Sequence, residues 1–119
     1  MSELLPMFLK VFSSGWKLKP MTTWFVSRHP GAIAWATQQG VEVERQVSHL
    51  EPVLIKPGDT VIGTLPVHLA AAVCRQGARY FNLSLDLPVH WRGRELDANE
   101  LHSCNARLEG FHICAATTD

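Results

Sequence analysis

Apolar residues fall in short blocks separated by turn-forming residues. Trp24, Phe25 and Val26 make a bulky, β-branched run that Pro30 and Gly31 stop, which predicts a buried strand ending in a sharp turn. Gly31 opens an apolar-periodic segment from Ala32 to Gln39, and Gly40 closes it as a helix C′ residue. From Val41 to Val47 apolar and polar positions alternate, the pattern of a half-exposed strand near a sheet edge. Pro52 and the Pro57-Gly58-Asp59 turn mark a loop, after which Thr60 to Gly63, centred on Val61 and Ile62, reads as a second buried strand.

The same strand, turn, helix order then recurs. Thr64 near the N-cap and Pro66 near the first helical position predict a helix from Val67 to Gln76, with Gly77 just past its end. Arg79 to Leu85, holding Tyr80, Phe81, Leu83 and Leu85, is a third strand, and Asp86 to Glu95 is a polar loop. Asp97 and Glu100 have capping-box spacing, so a third helix is expected from Ala98 to about Asn105, with a last strand at Phe111 to Ala115. Strands alternating with helices predict an α/β protein whose mostly parallel sheet carries helices on both faces, in the doubly wound manner.

Residues 1–20 have a different texture. Leu4, Phe8 and Phe12 have helical spacing, but Pro6 interrupts it and Ser13-Ser14-Gly15 ends it, so the expectation is a flexible extension or a short docking helix. Glu3 and the absence of Lys or Arg before the apolar residues argue against a signal peptide. Residues 21–119 are then expected to form a single domain. No apolar run approaches bilayer-spanning length, so no membrane partner is expected.

Charge narrows the ligand. The chain has 119 residues with 11 basic and 11 acidic, a formal net charge of zero, which offers no general field for long nucleic acid. A phosphate site would need a local basic cluster. The three cysteines form no CxxC pair and fit a reducing, cytoplasmic setting better than a disulfide framework. His102-x-Cys104 and His112-x-Cys114 lack the spacing of a finger or ribbon, so no metal is expected.

In a parallel α/β sheet, functional groups collect beyond the carboxyl ends of the strands. That rule gathers Ser27, Arg28 and His29 after the first strand, Thr64 and His68 after the second, and Asn82, Ser84 and Asp86 at the third, with the loop from His90 to Glu95 able to close over them. The set suits phosphate: guanidinium forks, backbone N–H groups at helix starts, and an imidazole that moves protons near neutral pH. The plainer alternative is that Arg28 and His29 decorate a turn and that Arg92 and Arg94 belong to a solvated loop. A strand followed by Arg-His also resembles the histidine phosphatases, but Pro30 stands where their glycine follows.

Four blocks carry a more specific likeness: Thr-Trp-Phe-Val-Ser-Arg-His-Pro-Gly-Ala at 23–32, Gly-Asp-Thr-Val-Ile-Gly-Thr-Leu-Pro-Val-His at 58–68, Ala-Arg-Tyr-Phe at 78–81 and Arg-Gly-Arg-Glu-Leu at 92–96. In this order they resemble a small family of CRISPR-associated accessory proteins found with type III systems. The resemblance implies a Rossmann-like, homodimeric ring nuclease that degrades the cyclic tetra-adenylate messenger. Such cleavage needs no cofactor, because the ribose 2′-hydroxyl can attack the neighbouring phosphorus. Chemistry then assigns Arg28 to the non-bridging oxygens, His29 to proton transfer and Glu95 to a base or orienting role. Ser27, Gly31, Thr64, Val67, His68 and Asn82 are expected to bind ligand, with Trp91, Arg92 and Arg94 covering it. The competing expectations are a non-catalytic sponge or sensor of cyclic oligoadenylate, and an interaction subunit docking through residues 1–20.

Overall fold

The computed structural model describes residues 21–116; the expected extension at 1–20 lies outside them. The described chain runs β1 (Thr23–Val26), α1 (Pro30–Gln38), β2 (Arg45–Val47), β3 (Thr60–Gly63), α2 (Val67–Arg75), β4 (Arg79–Ser84), α3 (Ala98–Ser103) and β5 (Arg107–Phe111), with single 3₁₀ turns at Pro52–Leu54 and Val89–Trp91. The strands form one sheet of order β2-β1-β3-β4-β5, parallel except for β5, which runs antiparallel to β4.

Adjacent residues in each central strand serve opposite layers. Phe25 and Ile62 pack beneath α1 and α3 with Trp35, Ala36 and Leu101. Trp24, Val61 and Tyr80 pack against α2 with Ala70, Val73 and Ile55. Strands buried on both faces read as unbroken apolar runs, which is why β1 and β3 stood out in the sequence. The helices therefore cover both faces, two on one and one on the other.

Asp59 fastens the turn before β3 to β1. Its buried carboxylate accepts from the Thr22 N–H at 3.0 Å, the Trp24 indole N–H at 3.2 Å and the Lys56 N–H at 3.0 Å. At α3 the expected capping box is complete, with Glu100 N–H donating to Asp97 at 2.8 Å and Asp97 N–H donating to Glu100 at 3.0 Å.

Three expectations at element ends are corrected. The last strand is Arg107–Phe111 rather than Phe111 to Ala115. Asn105, at φ 58°, ends α3 in the left-handed region that asparagine tolerates and turns the chain straight into β5. Only Arg45–Val47 of the alternating segment joins the sheet; Val41 instead returns its N–H to Ala36 at 3.1 Å and is buried beneath α1. The N-cap of α2 is Pro66 and not Thr64, whose hydroxyl donates to the Leu83 carbonyl at 3.3 Å.

A polar chain runs along β4 on the α2 side. Leu65 N–H donates to the Tyr80 hydroxyl at 3.1 Å, Tyr80 donates to Asn82 at 2.6 Å, Asn82 to Ser84 at 2.9 Å, and Ser84 to Glu109 on β5 at 2.6 Å. Burial pushes the Tyr80 phenol above its ordinary value of 10.0, against the opposing pull of the Leu65 N–H. A raised pKa means that the fold favours the neutral phenol. Its contribution to stability is therefore complete below the ordinary value and lost as pH rises through the folded one. Tyr80 is the only tyrosine in the chain, so tyrosinate absorbance reports it alone. The native protein should titrate above pH 10 and the denatured chain near it; coincident midpoints would refute this account.

Gly31 marks the closest approach between α1 and the segment leading into α3. A Cβ there would lie 1.9 Å from the Leu96 carbonyl oxygen, a backbone atom that cannot swing aside. Gly31→Ala must push residues 94–97 off the start of α1. The expected loss is about 1–3 kcal/mol, the range for overpacked sites, read as a lower denaturant midpoint with an unchanged slope. A wild-type midpoint would show that the two segments are not held together as described.

Candidate active site

The sheet order places a crevice where the chain leaves it in two directions. From β1 the connection through α1 leads outward to β2, whereas from β3 the connection through α2 leads to β4 on the other side. Beyond the carboxyl ends of β1 and β3 the two connections part, and ligands in open α/β sheets bind at such a point. A cavity of about 480 Å³ opens there, within the ~300–1,000 Å³ range of small-molecule sites.

Its floor is apolar, built from Phe25, Leu69, Leu83, Leu85, Leu96 and Leu101. Its polar wall holds Ser27, Arg28, His29, Ser48, His49 and Thr64, and Arg94 and Glu95 reach it from the loop before α3. Gly63 lets β3 pass the end of β1, since a Cβ there would sit 2.7 Å from the Val26 carbonyl oxygen.

Local hydrogen bonds set the turn after β1. Ser27 N–H donates to Val47 O at 2.9 Å, and Gln46 donates to Ser27 O at 2.6 Å, so the turn begins clamped to β2. The Ser27 hydroxyl accepts from the His29 N–H at 3.0 Å, a local side-chain bond typical of serine in turns. His29 is the N-cap of α1 but caps with its carbonyl, which accepts from Ala32 and Ile33. Its imidazole is left for other work.

That imidazole meets Glu95, with Nδ1 at 2.8 Å from Oε2. A carboxylate at Nδ1 selects the tautomer that donates there, which leaves the Nε2 lone pair outward. The two side chains are 62% and 59% exposed, so the contact orients the ring more than it stabilises the fold. Arg28, next in the chain, has no ion-pair or hydrogen-bond partner among the described residues and is exposed at the same mouth. Arg94 is committed elsewhere, paired with Glu100 and stacked 4.5 Å above the Trp91 ring.

Of the residues singled out in the sequence, Ser27, Arg28, His29, Thr64, Arg94 and Glu95 share this wall. Gly31 lies under it as the contact to Leu96. Trp91 and Arg92 are outside the cavity lining, Trp91 serving as the platform for Arg94. Val67 and His68 are exposed at the start of α2, also outside the lining, and Asn82 is engaged in the polar chain along β4.

Ser48 and His49 were missed. The available signal was an echo: Val26-Ser27-Arg28-His29 and Val47-Ser48-His49 both follow a strand, and Val26 pairs with Val47. No group of three or more metal-ligating side chains converges among the described residues. No helix among them is long and apolar enough to cross a membrane.

No curated protein and no solved structure matches the chain. A family model does, over residues 24–114, and it reaches every strand of the sheet and covers every residue of the cavity wall. The chain belongs to that family, Cas_VVA1548, described as "Putative CRISPR-associated protein".

Proposed function

We propose that this protein is a metal-independent ring nuclease that opens cyclic tetra-adenylate by attack of a ribose 2′-hydroxyl on the adjacent phosphorus, ending a type III CRISPR signal. The observation that carries the reading is the pairing of an oriented imidazole, His29 on Glu95, with an uncompensated guanidinium, Arg28, at the mouth of a crevice. Membership of a CRISPR-associated family supports the setting. The resemblance to ring nucleases supports the substrate.

The chemistry needs three services. Arg28 neutralises the charge that gathers on the non-bridging oxygens as the phosphorus becomes five-coordinate. His29 Nε2 takes the 2′-hydroxyl proton, and Glu95 holds the ring for that transfer and stabilises the imidazolium that results. The apolar floor excludes water behind the reacting phosphate and receives a base. Product release leaves a linear fragment with a 2′,3′-cyclic phosphate. The working unit is a homodimer whose two-fold axis matches the symmetry of the ring.

Incubating the purified chain with cyclic tetra-adenylate in EDTA, with products identified by chromatography and mass spectrometry, tests this directly. Linear di-adenylate with a 2′,3′-cyclic phosphate is expected. His29→Ala should keep binding and lose roughly a thousandfold in single-turnover rate, inside the range for general acid–base catalysis. Intact ring recovered in a tight stoichiometric complex would make the protein a sponge instead. Absence of binding would overturn both.

A further inference from the structure

Six histidines occur in the chain, and two line the cavity: His29 and His49. We propose that His49 is the second proton-transfer group of the site, an imidazolium that protonates the 5′ oxygen as it leaves phosphorus. The proposal rests on the phosphodiester cleavage advanced above and adds a residue that it did not include.

Placement is the first argument. Val26 and Val47 face each other in parallel strands, and Ser27 N–H continues the ladder by donating to Val47 O at 2.9 Å. Neighbouring strands lie about 4.8 Å apart, so the two chains leave the sheet side by side. His29 follows three residues after its paired valine, His49 two after its own. Leu50 is buried at 7% exposure in the layer beneath α2, so His49 stands between a strand end and a core anchor. It is exposed, and it has no hydrogen bond or ion pair among the described residues.

Chemistry is the second. In an in-line displacement the attacking and departing oxygens occupy opposite apices of the phosphorane, so one proton leaves at one end while another is needed at the other. His29, with Nδ1 on Glu95, presents a lone pair and suits the attacking end. Arg28 and Arg94 do not surrender protons near neutral pH, and Glu95 is an acceptor already engaged with His29. Of the remaining side chains of the wall, His49 carries the ring nitrogens that can hand over a proton. The step balances: the O2′–P bond forms as the P–O5′ bond breaks, the 2′ proton passes to His29 Nε2, and the 5′ oxygen takes its proton from His49. No electrons are transferred. Exchange with water returns both imidazoles to their starting states.

The test compares two rings: ordinary cyclic tetra-adenylate, and the same ring with sulfur in place of each bridging 5′ oxygen, since a thiolate leaves without being protonated. Wild type, His29→Ala, His49→Ala and His49→Gln are assayed on both under single-turnover conditions, with binding measured separately. Both His49 variants should lose roughly a hundredfold or more on the oxygen ring, the lower end of what a positioned acid contributes, and cleave the sulfur ring at the wild-type rate. His29→Ala should be slow on both. His49 variants that cleave the oxygen ring normally, or that are equally slow on both rings, would overturn the assignment while leaving the nuclease standing. A wild-type chain that binds and cleaves neither ring would remove the proposed function and the role of His49 together.

Discussion

Everything in this domain is positioned by the parallel pairing of β1 with β3 at the middle of the sheet. The ladder from Thr23–Thr60 to Val26–Gly63 is secured at both ends by side-chain chemistry. At the amino end the Asp59 carboxylate holds three N–H groups, from Thr22, Trp24 and Lys56. Hydrogen bonds to a charged group are worth about 1.5–3 kcal/mol, and removing this acceptor would also strand a buried indole N–H. At the carboxyl end the missing side chain of Gly63 admits the Val26 carbonyl. With β1 and β3 fixed as neighbours, the next strands must lie on opposite sides, β2 beside β1 and β4 beside β3. Right-handed crossovers running in opposite directions put α1 and α2 on opposite faces. The crevice is what remains between them.

The side chains at that crevice are not arranged for stability. An ion pair as exposed as His29–Glu95 is worth about 0.2–1 kcal/mol at most, too little to matter against the buried layers. What holds Glu95 in reach of His29 is packing one residue further on, where the Leu96 carbonyl rests on Gly31 and Leu96 itself enters the layer beneath α1. A contact between main chains thus sets the geometry of two exposed side chains. The same loop places Arg94 over Trp91 and against Glu100, so its guanidinium is spoken for on two sides.

How much of this could be read from the sequence follows from how strongly each segment is buried. β1 and β3 are buried on both faces, so their residue types are nearly dictated and they were legible. The start of α3 was legible because a capping box needs two particular residues three apart. β5 was not, because a half-exposed strand reading Arg-Leu-Glu-Gly-Phe buries chiefly Leu108 and carries its charges as a polar ladder with β4, whereas Phe111 to Ala115 looks more apolar. The alternation at Val41 and Val43 was real but reports packing against α1 rather than sheet pairing. In the site, Arg28 and His29 were visible because they follow a strong strand. His49 was hidden because β2 is three residues long and mostly exposed, and only its register with β1 shows that Val47-Ser48-His49 ends at the same place.

Local pairing of charges leaves one guanidinium uncompensated at the crevice although the net charge of the chain is zero. Counted over the whole molecule the charges cancel, but they are not compensated locally. Arg107 is spent on Asp86 and Glu109, Arg45 on the face of Trp24, and Arg94 on Glu100 and Trp91. Of the two arginines lining the cavity, Arg28 is the one left without a partner among the described residues, and it shares that lining with two imidazoles. At physiological ionic strength charges are screened over about 8 Å, so the proposed phosphate would meet this cluster only inside the crevice. On the proposed reading, recognition comes from fit, with the apolar floor taking a base while Arg28 takes a phosphate. On that reading a long polyanion would gain little from such a surface, whereas a small ribonucleotide ring would offer a base and a phosphate close enough together to satisfy both.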